Sequence, residues 1–246
     1  MLLHLLGTGA GASDADRTTT MLAIECDDLL VLVDCGGDAA RAVQRSGLDP
    51  VAIDAVVLTH EHPDHISGFP LLVEKMWLLG RRAPIDVYGP APTLAVARQL
   101  FALFDTERWE GLPPLVWHPV DLSTRARVLH RPGFELFAYP VLHPVPTIGL
   151  RAEAGGAVLA YTCDTGPSPL LAPLADGADL LVHEATGHIP GVHSSVEDAC
   201  DLAVEVGVDR VVLVHAPVGA CEDDLDEARR RVRDIRWGTD GDRFSV

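Results

Sequence analysis

The sequence predicts an α+β fold in which helices cover two packed β-sheets, and three observations carry that expectation. Short alternating or β-branched segments dominate the middle of the chain, and helical stretches recur in both halves. No linker, low-complexity tract or short-period repeat divides the 246 residues. With 48% hydrophobic residues the chain can bury a large core, so residues 1–246 read as one domain.

The elements follow in order. Residues 2–6 form an apolar run too short for a signal peptide or a membrane span, and Gly7-Thr8-Gly9-Ala10-Gly11 ends it as a strand would end. Strand-like stretches at 18–26 and 29–34 flank Asp27-Asp28, a hairpin turn, and a helix from about 38 to 46 closes at Gly47. Residues 54–59 read as a buried strand running into His60, and Leu71, Leu72, Met76 and Leu79 then repeat at helical spacing. A strand at 84–88 and a helix at 91–104 precede short strands over 115–162, with Gly155-Gly156 as a second hairpin turn. The last third alternates: strand 178–184, helix 194–206, strand 210–215, helix 222–234.

Composition excludes some functions. The net charge is -17 and Lys75 is the only lysine, so extended nucleic-acid binding is disfavoured. Arg229, Arg230, Arg231, Arg233 and Arg236 interleave with Glu222, Asp223, Asp224, Asp226, Glu227 and Asp234, the pattern of a solvated amphipathic helix. Cys26, Cys35, Cys163, Cys200 and Cys221 are scattered and odd in number, which suits reduced thiols in the cytoplasm. Gly7-x-Gly9-x-x-Ala12 imitates a dinucleotide fingerprint, but the polar run at 13–20 has no apolar helical stripe. A glycine loop at the rim of a site is the better reading.

The chemistry concentrates in Thr59-His60-Glu61-His62-Pro63-Asp64-His65. His60 and His62 are two apart at a strand end, so extended backbone projects both rings to one side. Asp64 and His65 follow where the chain bends into a helix. Three imidazoles and a carboxylate within six residues supply the nitrogen and oxygen donors that zinc accepts, and manganese or iron accepts the same set.

His60-x-His62-x-Asp64-His65 resembles the H-x-H-x-D-H motif of the metallo-β-lactamase superfamily. Val33-Asp34-Cys35-Gly36 resembles that family's aspartate-glycine strand end. His143 resembles its third histidine, Asp164 its bridging aspartate and His215 its last metal histidine. The resemblance spans residues 1 to about 240 and implies a four-layer αββα sandwich. It implies two divalent ions, with His60, His62 and His143 on one, Asp64, His65 and His215 on the other, and Asp164 bridging. Asp34 would orient the site without binding metal. Two ions about 3.5–4 Å apart would share a hydroxide and stabilise an oxyanion, with Asp64 orienting the water.

Leu181-Val182-His183-Glu184-Ala185-Thr186 resembles the H-E-A-T motif of the ribonuclease Z branch, and His193-Ser194-Ser195 its histidine-serine-threonine element. The resemblance implies that His193 protonates the leaving oxygen and that Glu184 orients it. A structural role also fits, with Ser194 or Ser195 capping the next helix and Glu197 close by. No long basic insertion of the kind that grips transfer RNA is present, so the expected substrate is a small or cyclic phosphodiester. A ribonuclease Z-type endonuclease, a lactonase or other ester hydrolase, and a non-hydrolytic iron protein are the rivals. Family analogy allows a homodimer. Trp77, Trp109 and Trp117 could stack on a base, although packing is their commoner use. His4, His118, His130 and His188 show no partner in the sequence.

Overall fold

Fourteen strands and six helices arise in the computed structural model, which describes residues 1–246. One sheet joins β1 (Leu2–Gly7), β2 (Met21–Cys26), β3 (Leu29–Val33), β4 (Ala55–Val57), β5 (Ile85–Gly89) and β6 (Leu115–Pro119). The second joins β7 (Ala126–Arg131), β8 (Phe134–Pro140), β9 (Ile148–Ala154), β10 (Ala157–Tyr161), β11 (Leu180–Glu184), β12 (Arg210–Val214) and β13 (Asp234–Trp237). The last strand, β14 (Arg243–Ser245), returns to pair antiparallel with β1. The orders are β14-β1-β2-β3-β4-β5-β6 and β13-β12-β11-β10-β9-β8-β7. Each sheet is antiparallel in its first strands and parallel in its later ones, so the two halves echo each other.

Alternation along the strands builds the layers, since successive side chains face opposite sides. Leu3, Leu22, Ile24, Val31, Val33 and Val57 of one sheet meet Leu136, Leu150, Leu159, Val182, Val212 and Val214 of the other in a central core. Their neighbours Ala23, Leu30, Leu32 and Val56 face outward onto helices α1 (Ala39–Arg45), α3 (Phe69–Leu78) and α4 (Ala91–Ala102). On the far side Phe137, Ala160, Leu181 and Leu213 meet α5 (Ala172–Ala175) and α6 (Val196–Val206). These are the four layers α, β, β, α. Each large apolar side chain so buried contributes about 1.5–3 kcal/mol of transfer free energy.

Several expectations need correction. The run at 222–234 is not one helix but two 3-10 turns, Glu222–Leu225 and Ala228–Arg230, followed by β13. Leu225, Ala228, Val232 and Ile235 are buried at helical spacing, yet pairing of Ile235 with Val211 pulls the chain into strand, so tertiary pairing overrides local periodicity. On α3 the buried stripe is Phe69, Leu72, Val73 and Met76, while Leu71 and Leu79 are exposed. Helix α6 starts at the Ser195 cap, whose reciprocal partner is Asp198 and not Glu197. His4, His118, His130 and His188 each face a carboxylate: Glu25, Asp86, Glu135 and Asp198. Trp77 stacks on Trp109 with ring centres 5.0 Å apart, and Trp117 packs on Phe69. All five cysteines are unpaired, and no helix is long and apolar enough to cross a membrane.

Candidate metal centre

The site lies where strand ends from both sheets converge. Asp34 follows β3, residues 58–62 follow β4, His143 follows β8, Asp164 follows β10, Glu184 ends β11 and His215 follows β12. Open α/β sheets place ligands at the carboxyl ends of their parallel strands for the same topological reason. Three of these ends carry a non-glycine residue in left-handed backbone: Asp34 (φ 61°), Cys163 (φ 56°) and His215 (φ 54°). Such conformations persist only where surrounding bonds over-determine them.

The motif loop is set by backbone contacts. Pro63 opens the single-turn helix α2 (Pro63–Ile66), which carries Asp64 and His65 on its first turn. Cys35 N–H donates to the His65 carbonyl at 2.7 Å, and Gly68 N–H to the Cys35 carbonyl at 2.8 Å. Gly36 is required there, since a Cβ on it would lie 1.6 Å from the Asp64 carbonyl oxygen. Gly11 approaches from the first loop, where a Cβ would come within 2.9 Å of Asp64 Oδ2.

The structure brings all seven of the donor residues named from the sequence into one cluster. His60 Nε2 and His143 Nε2 each lie 3.1 Å from His62 Nδ1. The outer nitrogens determine which way the lone pairs point. His143 Nδ1–H donates to the Val192 carbonyl at 2.9 Å. Thr59 Oγ1 gives its own hydrogen to Asp34 Oδ2 at 2.7 Å, so toward His60 Nδ1, 3.1 Å away, it can only accept. Both Nε2 atoms are therefore lone pairs aimed at the third ring. Nitrogens bound at ~2.0–2.1 Å to a tetrahedral ion stand about 3.3–3.4 Å apart, close to the separation found here.

Asp64 Oδ2 lies 3.4 Å from His215 Nε2 and 3.7 Å from His65 Nε2. Asp164 Oδ2 lies 3.3 Å from His215 Nε2, 3.4 Å from His65 Nε2 and 3.9 Å from His60 Nε2, which places it between the two groups. His65 Nδ1–H donates to Asp34 Oδ2 at 2.8 Å, and His65 Nε2 and Asp164 Oδ1 are buried without a hydrogen-bond partner. Asp34, Asp64 and Asp164 form ion pairs with histidines alone. Burial opposes charge on His65, but Asp164 and Asp34 outweigh it and hold its pKa well above the ordinary imidazole range. Burial opposes ionisation of Asp164 too, yet His215 and His65 keep it far below the usual carboxylate range. Burial, reinforced by the neighbouring His65, keeps His60 neutral, and burial lowers His143. Two neutral imidazoles, ionised carboxylates and orphaned donors demand positive charge at the centre, so the residues fit divalent ions.

Glu184 and His193 form a second assembly beside this cluster. His193 Nδ1–H donates to Glu184 Oε1 at 2.8 Å, and its ring lies 5.3 Å from that of His215 and 5.5 Å from that of His143. Glu184 is fully buried and also accepts from the backbone N–H groups of Thr165, Thr186 and Ser194. Burial disfavours the imidazolium of His193, but the Glu184 hydrogen bond and charge prevail and raise its pKa. Sequence reasoning missed Thr59, Cys163, Thr186 and the Val192 carbonyl, which hold the donors from behind. Cys163 Sγ donates to Thr59 Oγ1 at 3.1 Å. All four sit next to, or two residues from, a residue named from the sequence, the one signal available for them.

Residues 30–216 match the family model described as the beta-lactamase superfamily domain. A protein named ribonuclease Z from Mycobacterium marinum is 31% identical, over 87% of this chain and 85% of its own length. Among solved structures, the short form of human tRNase Z superposes with a TM-score of 0.82 at 22% identity, covering 100% of this chain and 99% of that one. A diphosphatase from the PhnP family superposes with a TM-score of 0.77 at 22% identity, covering 100% and 97%.

Proposed function

This chain belongs to the β-lactamase superfamily and is a metal-dependent hydrolase, and from that premise we propose that it cleaves a small or cyclic phosphodiester. The observation that carries this reading is the His193–Glu184 pair, a partly exposed imidazole hydrogen-bonded to a buried carboxylate that raises its pKa, beside the donor cluster.

In this reading His60, His62 and His143 hold one divalent ion and Asp64, His65 and His215 a second, with Asp164 shared. Mixed imidazole and carboxylate donors suit zinc, and manganese or iron would accept them. Bound there, the ions supply Lewis-acid stabilisation of phosphoryl charge and lower the pKa of water to near neutrality. The chain's own groups do the rest. Asp64, at the Gly11 edge of the cluster, orients the attacking water as well as binding. His193 keeps a proton at Nε2 and passes it to the departing oxygen, while Glu184 stabilises the imidazolium through Nδ1. Protonation of a leaving alkoxide by a positioned acid contributes about 10²–10⁴-fold. An acyl substrate would have less need of it.

Charge and shape support a small substrate. The net charge of -17 disfavours a long polyanion. The longest run outside helices, 3-10 turns and strands is 8–20, and it is tied down by Thr18 N–H on Asp240 and by the Arg17 guanidinium on Thr8 and the Gly238 carbonyl. A ribonuclease Z-type endonuclease is the second reading, favoured by the 31% identity to a protein of that name.

The test supplies bis-p-nitrophenyl phosphate, a nucleoside 2′,3′-cyclic phosphate, a transfer-RNA precursor and a lactone to zinc-loaded enzyme. Turnover of the first two is expected. Cleavage of the precursor but not the cyclic phosphate would select the second reading, and lactone turnover alone would overturn both.

A further inference from the structure

We propose that Thr186 is a positioning residue: its hydroxyl fixes both the ring and the backbone of His215 and so sets how tightly the Asp64–His65–His215 group holds its ion. The inference rests on the metal reading of that group given above.

One oxygen makes both contacts. Thr186 Oγ1 donates to the His215 carbonyl at 2.9 Å and lies 2.5 Å from His215 Nδ1. A hydroxyl has a single hydrogen, and here it is committed to the carbonyl, so the ring must be the donor in the second contact. The proton of a neutral His215 is thereby placed on Nδ1. The lone pair is left on Nε2, which faces Asp64 Oδ2 at 3.4 Å and Asp164 Oδ2 at 3.3 Å. Without the hydroxyl, the ring is free to carry its proton on Nε2, where it would meet the two carboxylates and exclude a cation.

The backbone contact matters for a different reason. His215 sits at φ 54°, in the left-handed region. Its N–H donates to Thr20 Oγ1 at 3.1 Å, and its carbonyl accepts from Thr186, so a threonine hydroxyl grips the residue on each side. Thr186 also donates its own N–H to Glu184 Oε2 at 3.0 Å. That bond uses the main chain and survives any side-chain change. Valine at 186 therefore removes the clamp on His215 while leaving the Glu184–His193 pair its support, and serine restores the clamp.

The experiment compares wild type, T186V, T186S and H215A, freed of metal and titrated with zinc against a chelating competitor. Wild type should take two ions. T186V should hold one of them about 10–100-fold more weakly, the range usual for loss of a group behind a ligand histidine. H215A should lose that same ion, and T186S should match wild type. In parallel, long-range proton–nitrogen spectra of metal-free wild type should show His215 protonated at Nδ1, a readout that needs no folded variant. Wild-type affinity for both ions in T186V, equal weakening of both, or a neutral His215 carrying its single proton at Nε2 would each overturn the proposal. If wild type itself takes fewer than two ions, the binuclear reading fails with it, so the two failures are told apart.

Discussion

The donor cluster is assembled in two contrasting ways. One side comes from a single loop, in which His60, His62, Asp64 and His65 lie within six residues and α2 sets their relative directions. The other side is gathered from separate strand ends: His143, Asp164 and His215 are supplied by β8, β10 and β12, with Glu184 and His193 beside them. A loop can be placed by its own backbone hydrogen bonds and by Gly36 and Gly11. Dispersed donors depend instead on register, since a slip of one residue turns every strand-borne side chain to the other face. The difference teaches that the compact half is locally encoded, while the scattered half is only as good as the sheet that carries it.

The largest effect expected from breaking this arrangement is at Asp164, the one carboxylate within 4 Å of histidines from both groups. Asp164→Asn should lower phosphodiester turnover by ~10³-fold or more, the scale of several kcal/mol of lost charge stabilisation, and metal analysis should show reduced zinc. His193→Ala comes next. Turnover should fall about 10²–10⁴-fold with both ions retained, and less with a p-nitrophenolate leaving group, which needs little protonation. Loss of metal in that variant would contradict the separation of acid from ligands. On the loop side, Asp34→Asn removes one of two acceptor oxygens from a carboxylate that receives Thr59 N–H, Thr59 O–H and His65 Nδ1–H. Zinc affinity should fall about 10–100-fold in chelator competition.

The smallest effect is a displacement in pH. The acid acts while His193 is protonated, so the rate holds below its pKa and declines as pH rises through it. Glu184 raises that pKa against burial. In Glu184→Gln the main raising partner is gone, leaving Asp164 and Asp64 to act against burial, and the declining limb of kcat should move to lower pH. An unmoved limb would show that another group limits the alkaline side.

Legibility followed the same division. The motif loop was readable because its donors are neighbours in sequence and follow a buried strand. The hairpin at Asp27-Asp28, the helix ending at Gly47 and the alternation of the last third were readable from period and turn chemistry. The run at 222–234 was misread because its apolar spacing suits a helix, whereas β12 offers a strand partner that no local pattern records. β13 and β14 are short, and half their residues are exposed, so their alternation is faint. The echo between the two sheets left no sequence repeat because the pairing of the strands is backbone-made, and many apolar sequences serve the same pairing.

By itself the sequence determined the inventory: which nitrogens and carboxylates exist, which lie close along the chain, and which runs alternate for a sheet. These are properties of side-chain chemistry and spacing, and they survive in one dimension. Only the tertiary structure decided the directions. Thr59 and Asp34 turn His60 and His65, the Val192 carbonyl turns His143, and Thr186 turns His215. An imidazole offers a lone pair or a proton according to what stands behind it, and apart from Thr59 these groups come from elsewhere along the chain.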